Sequence, residues 1–234
     1  MFAAFMIDYQ ELIDTVTKAN NSDWSSLDMI GEWRRKHFIK IAKLFDSFVT
    51  VITETNDYNT ACAIIRMIYD NWYSYVYVYL CTDGEERKLR YYLFVIDCIN
   101  QRKETMLNLH DGDQIDPDIN RIADSTIQDC DNAIRQYADL IHGLSLYSHH
   151  AAFIDKAIEK GCWQYKELKG DKPSGYKWSE LYEHLSGKDT KAFLGYLSQY
   201  VHGLYASTLT IIPSNEEMGL VFHEALRLVK SINI

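Results

Sequence analysis

The chain has 234 residues, of which 47% are hydrophobic and 24% charged, with a formal net charge of −9. That balance excludes intrinsic disorder, and the acidic excess argues against a broad non-specific nucleic-acid binder, whose affinity comes from Lys and Arg neutralising phosphates. Five Cys without any CxxC make neither a disulfide framework nor a zinc site, and read as reduced, mostly buried thiols.

Only 3 Pro and 11 Gly interrupt the chain, which favours long helices over short strands joined by tight turns. Seventeen Tyr and five Trp supply a large aromatic core whose phenol and indole groups need polar partners. The start, MFAAFMIDYQELID, lacks the basic region and the cleavage site of a secretory signal. No apolar run reaches the ~20 residues that span a bilayer. A soluble, cytoplasmic protein with no membrane partner is expected.

In chain order, a first helix is predicted over residues 2–19, where Phe5, Ile7, Leu12, Ile13 and Val16 recur at helical spacing. After the loop NNSDWSS, Ser25 or Ser26 is the expected N-cap of a helix running to about Thr55. Its apolar stripe is Ile30, Trp33, His37, Ile41, Leu44, Phe48, Val51 and Ile52, with Arg34, Arg35 and Lys36 opening the solvated side. Asn56 or Asp57 caps a third helix whose end, YSYVYVYL, alternates like a strand. The 3.6-residue period of Ala61, Ile64, Ile65, Ile68, Trp72 and Tyr75 decides for helix.

Asp83 and Glu86 resemble a capping box opening a fourth helix, and Asp116 before Pro117 caps and starts a fifth of some thirty residues, estimated from its periodicity. Shorter helices follow through AAFIDKAIEKGCW, SELYEHLSG and TKAFLGYLSQYVHGLYAS, the first ending near Gly161. The loop LKGDKPSGYK separates it from the second, and a last helix starts at Ser214, three residues before Glu217. The expected fold is all-α: a single up-down bundle of about eight helices, with residues 1–56 as an N-terminal appendage to a core of residues 57–234.

Two polar groups interrupt apolar helix faces. Arg66 and Asp70 are four residues apart in IIRMIYDNWYSYVY, either an internal clamp bridging helices or a site for a ligand or phosphate; Arg90 supplies a second cation. In YLSQYVHGLYAS, Ser198, His202 and Tyr205 share a helical face, and a Ser–His hydrogen bond would fix the ring's tautomer. A structural pair is the expected role, since mid-helix serines are too enclosed for nucleophilic attack. Arg66 and His202 are expected to approach one another, because polar groups on apolar faces find partners.

No metal or cofactor is expected. HDGDQIDPD lacks the glycine position and the final Glu of an EF-hand, and His149 and His150 would point about 100° apart on a helix. His223 lacks the second histidine of a zincin, and no P-loop, GxGxxG or GxSxG is present.

RMIYD at residues 66–70, then GEERKLRYYLFV, then KWSELYEHL leading into LSQYVHG, together resemble an uncharacterised bacterial all-helical domain associated with HEPN-like proteins, over roughly residues 38–205. The resemblance implies a helical module. The wider superfamily contains metal-independent ribonucleases, which use an Arg and a His with four to six residues between them, usually at a dimer interface. RQYADLIH carries that spacing at Arg135 and His142, and no Arg stands just upstream of His202. Two functions follow as expectations. One is non-catalytic binding of a protein partner or small ligand in a cleft at Arg66, Asp70, Arg90, Ser198 and His202, in a monomer or homodimer. The other is a defence-type ribonuclease, with RNA as partner, using Arg135 and His142.

Overall fold

The structure, a computed structural model, describes residues 2–23, 25–110, 117–202 and 213–232. Among the described residues the fold is all-helical, with no strand and a single isolated bridge between Tyr165 and Gly175. Nine α-helices are seen among them: α1 (Phe2–Asn21), α2 (Met29–Thr50), α3 (Tyr58–Tyr79), α4 (Gly84–His110), α5 (Pro117–His142), α6 (Tyr147–Lys160), α7 (Trp178–Ser186), α8 (Lys188–Val201) and α9 (Asn215–Ile232). None is long and apolar enough to cross a membrane.

The chain divides into two compact units, Met1–Val76 with Ser179–Ile234, and Tyr77–Trp178. The two N-terminal helices, expected as an appendage ending at residue 56, fall in the first unit together with α9. Within it α1 packs on α2 and α9. Phe5 on α1 meets Phe45 and Phe48 on α2, and Phe222 of α9 closes on Phe48 with ring centroids 5.9 Å apart. In the second unit α4 packs along α5, and α6 touches both.

Caps set most of the boundaries. The N-cap of α2 is Asp28, whose carboxylate accepts the Gly31 N–H at 2.7 Å. Neither Ser25 nor Ser26, the two expected caps, holds that position, and Ser25 is held by Asp23 through both its amide and its hydroxyl. The α2 helix does not run unbroken to Thr55: Val51–Thr55 form a π turn, which ends on Asn56 in the left-handed region at φ 51°. Asp57 then caps α3 by accepting from Thr60. Asp83 accepts the Glu86 N–H at 2.8 Å, but Glu86 turns to Arg90 instead of completing the box. At α9 the box is reciprocal, Ser214 N–H to Glu217 at 2.8 Å and Glu217 N–H to the Ser214 hydroxyl at 3.2 Å. Pro117 opens α5 as expected, while Asp116 lies outside the described residues.

The alternating YSYVYVYL stretch is helical up to Tyr79, because α3 is buried on most of its circumference: Tyr73, Tyr75, Tyr77, Val78 and Tyr79 are all buried, and all-round burial removes the penalty on alternation. On α2 the stripe differs in detail. Phe45 joins Ile30, Ile41 and Phe48 in the core, whereas Trp33 is 48% exposed and lies under the Lys36 ammonium, 4.6 Å from its ring centroid.

His37 turns inward from α2, its ring edge-on to Tyr75 at 5.8 Å. Burial, then the charge of Lys40, pushes its pKa down to about 4, against a hydrogen bond to Asn71 that works the other way. The folded state therefore holds the ring neutral. Above pH ~6.5, the ordinary histidine value, this contribution is fully present; below it the unfolded chain takes up the proton, and stability falls until about pH 4. That lowering corresponds to about 3 kcal/mol. We predict that urea unfolding of wild type and His37→Gln, compared at pH 7 and pH 4, shows wild type losing about 3 kcal/mol more than the variant; parallel curves would refute a buried neutral histidine.

Candidate functional site

In the first unit the sequence pairs Arg66 and Asp70 on one face of α3, and the fold brings α7 and α8 against that face. Arg66 Nε lies 3.2 Å from Asp70 Oδ1 and 3.3 Å from Oδ2. One terminal nitrogen donates to the Leu194 carbonyl and the Ser198 hydroxyl, each at 3.0 Å, and the other to the Tyr182 hydroxyl at 2.9 Å. Tyr182 in turn donates to Asp70, and its ring lies 5.0 Å below the guanidinium. Burial and the Asp70 carboxylate both push the phenol's pKa up.

Four of the guanidinium's five N–H donors thus end on this chain. Chemically this is a fastening of three helices. Ser198 belongs to it: its hydroxyl donates to Leu194 O at 2.8 Å and accepts from Arg66. The expected Ser–His side-chain bond is not made, because His202 is the exposed C-cap of α8 and reaches Ser198 through its backbone N–H, 3.1 Å from Ser198 O. The bonds of Arg66 likewise go elsewhere than His202. Tyr205 lies outside the described residues.

A second arginine of the same unit, unremarked in the sequence, is held in the same manner. Arg227 on α9 bonds Glu224, the Tyr69 hydroxyl at 2.7 Å and the buried Thr190 at 2.8 Å. Arg90 belongs to the second unit. It grips Glu86 at 2.7 Å and the Tyr77 carbonyl at 3.0 Å, with its guanidinium 4.1 Å from the Tyr77 ring centroid. Tyr165 donates to the same Glu86 carboxylate at 3.2 Å.

Arg135 and His142 are both surface groups on α5. Seven residues of helix put them on one side, about 10 Å apart along the axis. His142 Nε2 is 3.3 Å from Asp155 Oδ1 on α6, and Tyr147 donates to the same carboxylate at 3.1 Å. Arg135 bonds back to Asp131 O and Asn132, toward the helix N-terminus and away from His142. Among the described residues no group of three or more His, Cys, Asp or Glu could hold a metal. No cysteine is in a disulfide: Cys62 and Cys130 are buried, with burial pushing the Cys62 thiol up to about 12, but Cys81 and Cys162 are half-buried and Cys98 is exposed, against the expectation of mostly buried thiols.

The second unit contains a cleft of about 600 Å³. Its floor is one face of α4, with Phe94, Asp97 and Gln101 at i, i+3 and i+7. Its walls are Trp163, Tyr176 and Trp178. Trp163 crosses Phe94 at 75° and Trp178 at 69°, with centroids 4.9 and 5.8 Å apart. The predicted loop 168–177 is tied at its base, Lys166 N–H to Ser174 O at 2.8 Å and Tyr176 N–H to Gln164 O at 2.7 Å, which holds the far wall upright.

Gly161, the left-handed C-cap of α6 at φ 60°, lets backbone approach Asp97: a Cβ there would lie 2.9 Å from Oδ1. Asp97 accepts from Gln101 Nε2 at 2.7 Å and from Trp163; burial pushes its pKa up against both bonds. The sequence signal for this cleft was an acid in the apolar run YYLFVIDC and the Gly–aromatic density of KGCWQY and SGYKW.

For the Arg66 fastening, we expect Arg66→Ala to cost about 2–4 kcal/mol, because Asp70 and Tyr182 lose their cation, and Tyr182→Phe about 1–2 kcal/mol. Urea denaturation measures both; midpoints within error of wild type would show the group to be dispensable. No family model matches this chain, and no curated protein or solved structure matches it either, so its function is to be read from its own residues.

Proposed function

We propose that the protein is a HEPN-like helical module that binds a small ligand without catalysing a reaction, and that the ligand occupies the cleft of the second unit. The observation that carries this reading is the cleft itself, whose aromatic walls, one carboxylate and roughly 600 Å³ suit a small organic molecule. The fastened state of Arg66 adds to it, since a guanidinium already spent on four internal acceptors has little to offer a ligand. The binding role expected around Arg66 and His202 therefore moves to residues of the cleft. The HEPN-like part is supported by the helical content, and by the coupling of the RMIYD and LSQYVH steps through the Arg66–Ser198 bond.

A ribonuclease is the second reading, favoured by one observation: Asp155 orients His142 as a catalytic carboxylate orients a general base. The lean of Arg135 away from His142 counts against it.

Nile red, a neutral dye, should bind with one saturable phase, and Trp178→Ser should weaken it about tenfold or more by removing a wall that is 40% exposed and carries little of the core. Absence of saturable binding would sink the cleft reading. Mixed RNA incubated with the protein in EDTA should stay intact; cleavage lost in His142→Ala would put the nuclease in its place.

A further inference from the structure

The cleft's polar groups favour a cationic guest over a neutral one of the same shape. Asp97 makes no ion pair among the described residues: its partners are two neutral donors, the Gln101 amide and the Trp163 indole. Burial outweighs both and pushes its pKa up, as expected for a carboxylate lacking a counter-cation. The one lysine of the lining, Lys160, is exposed, and it acts on the Cys162 thiol rather than on Asp97. The same lining carries the rings of Phe94, Trp163 and Trp178, packed edge to face, and the π clouds of the faces left open to the cleft present negative potential.

From this geometry, and resting on the reading of the cleft as a ligand site, we infer that the ligand is a small organic ammonium ion. The ammonium sits against the aromatic rings with Asp97 as its counter-charge, where cation–π attraction and the carboxylate act together. Gly161 permits the arrangement by letting backbone pass Asp97 without a side chain between them.

The test compares choline with 3,3-dimethylbutan-1-ol, a neutral molecule of nearly the same shape, through quenching of tryptophan fluorescence and through isothermal calorimetry. Choline should bind about tenfold or more tightly than the alcohol. Asp97→Asn removes the charge but keeps the size and one acceptor oxygen, so the fold should be retained by far-UV circular dichroism while the preference for choline disappears. Equal binding of choline and alcohol, a preference that survives in Asp97→Asn, or no choline binding at all would each overturn the inference. Saturable Nile red binding in that same sample leaves the cleft as a ligand site and removes only its assignment to cations; loss of both removes the two together.

Discussion

The structure depends on one constraint: burying a phenol is costly unless its hydroxyl finds a partner. Helix α3 carries tyrosines at 58, 69, 73, 75, 77 and 79, all buried, and their oxygens must be answered from outside the helix. Tyr58 meets the Tyr196 hydroxyl at 2.6 Å, Tyr73 meets Ser186 at 2.6 Å, Tyr69 meets Glu224 and Arg227, and Tyr77 donates to the Tyr165 carbonyl. These four answers come from segments more than 80 residues away along the chain, and Tyr75 is answered by Arg34 on α2 at 3.0 Å. Hydrophobic burial favours many arrangements of such a helix. The hydrogen bonds favour few, because a rotation that leaves several phenols unpaired costs about 1–3 kcal/mol for each.

Arginines act in the same way, as connectors with fixed geometry. Arg66, Arg90 and Arg227 each lie over a tyrosine ring and bond a carboxylate three or four residues along their own helix. The local ion pair neutralises the charge, and the remaining N–H groups reach across to neighbouring segments. A lysine offers no planar fork and could not do both at once.

Helix content was legible in the sequence because it rests on local signals: scarce Gly and Pro, 3.6-residue periodicity and capping residues such as Asp57, Pro117 and the Ser214–Glu217 pair. The i,i+4 pairing of Arg66 with Asp70 was legible for the same reason. The partners Tyr182, Leu194 and Ser198 were not, since they come from helices more than 100 residues further on and no pattern within α3 names them. His202 misled because helical spacing places it on the face of Ser198, whereas α8 stops at Val201 and leaves the histidine as its cap. The cleft was least legible of all. It assembles α4, the end of α6 and a loop, so Asp97 and Trp163, 66 positions apart in the numbering, become neighbours only through the packing of α6 on α4.

The π turn at Val51–Thr55 has a consequence for how this chain tolerates changes of length. A π turn accommodates one residue more than the α turn it replaces. Deleting a single residue within it would therefore let an α-helix run on with its faces nearly in phase, whereas the same deletion in the regular turns of α2 would rotate everything beyond by about 100°. There the buried Ile52 would leave the side on which Phe45 and Phe48 lie. The π turn is thus a place where this stretch can lose a residue without turning its buried face outward.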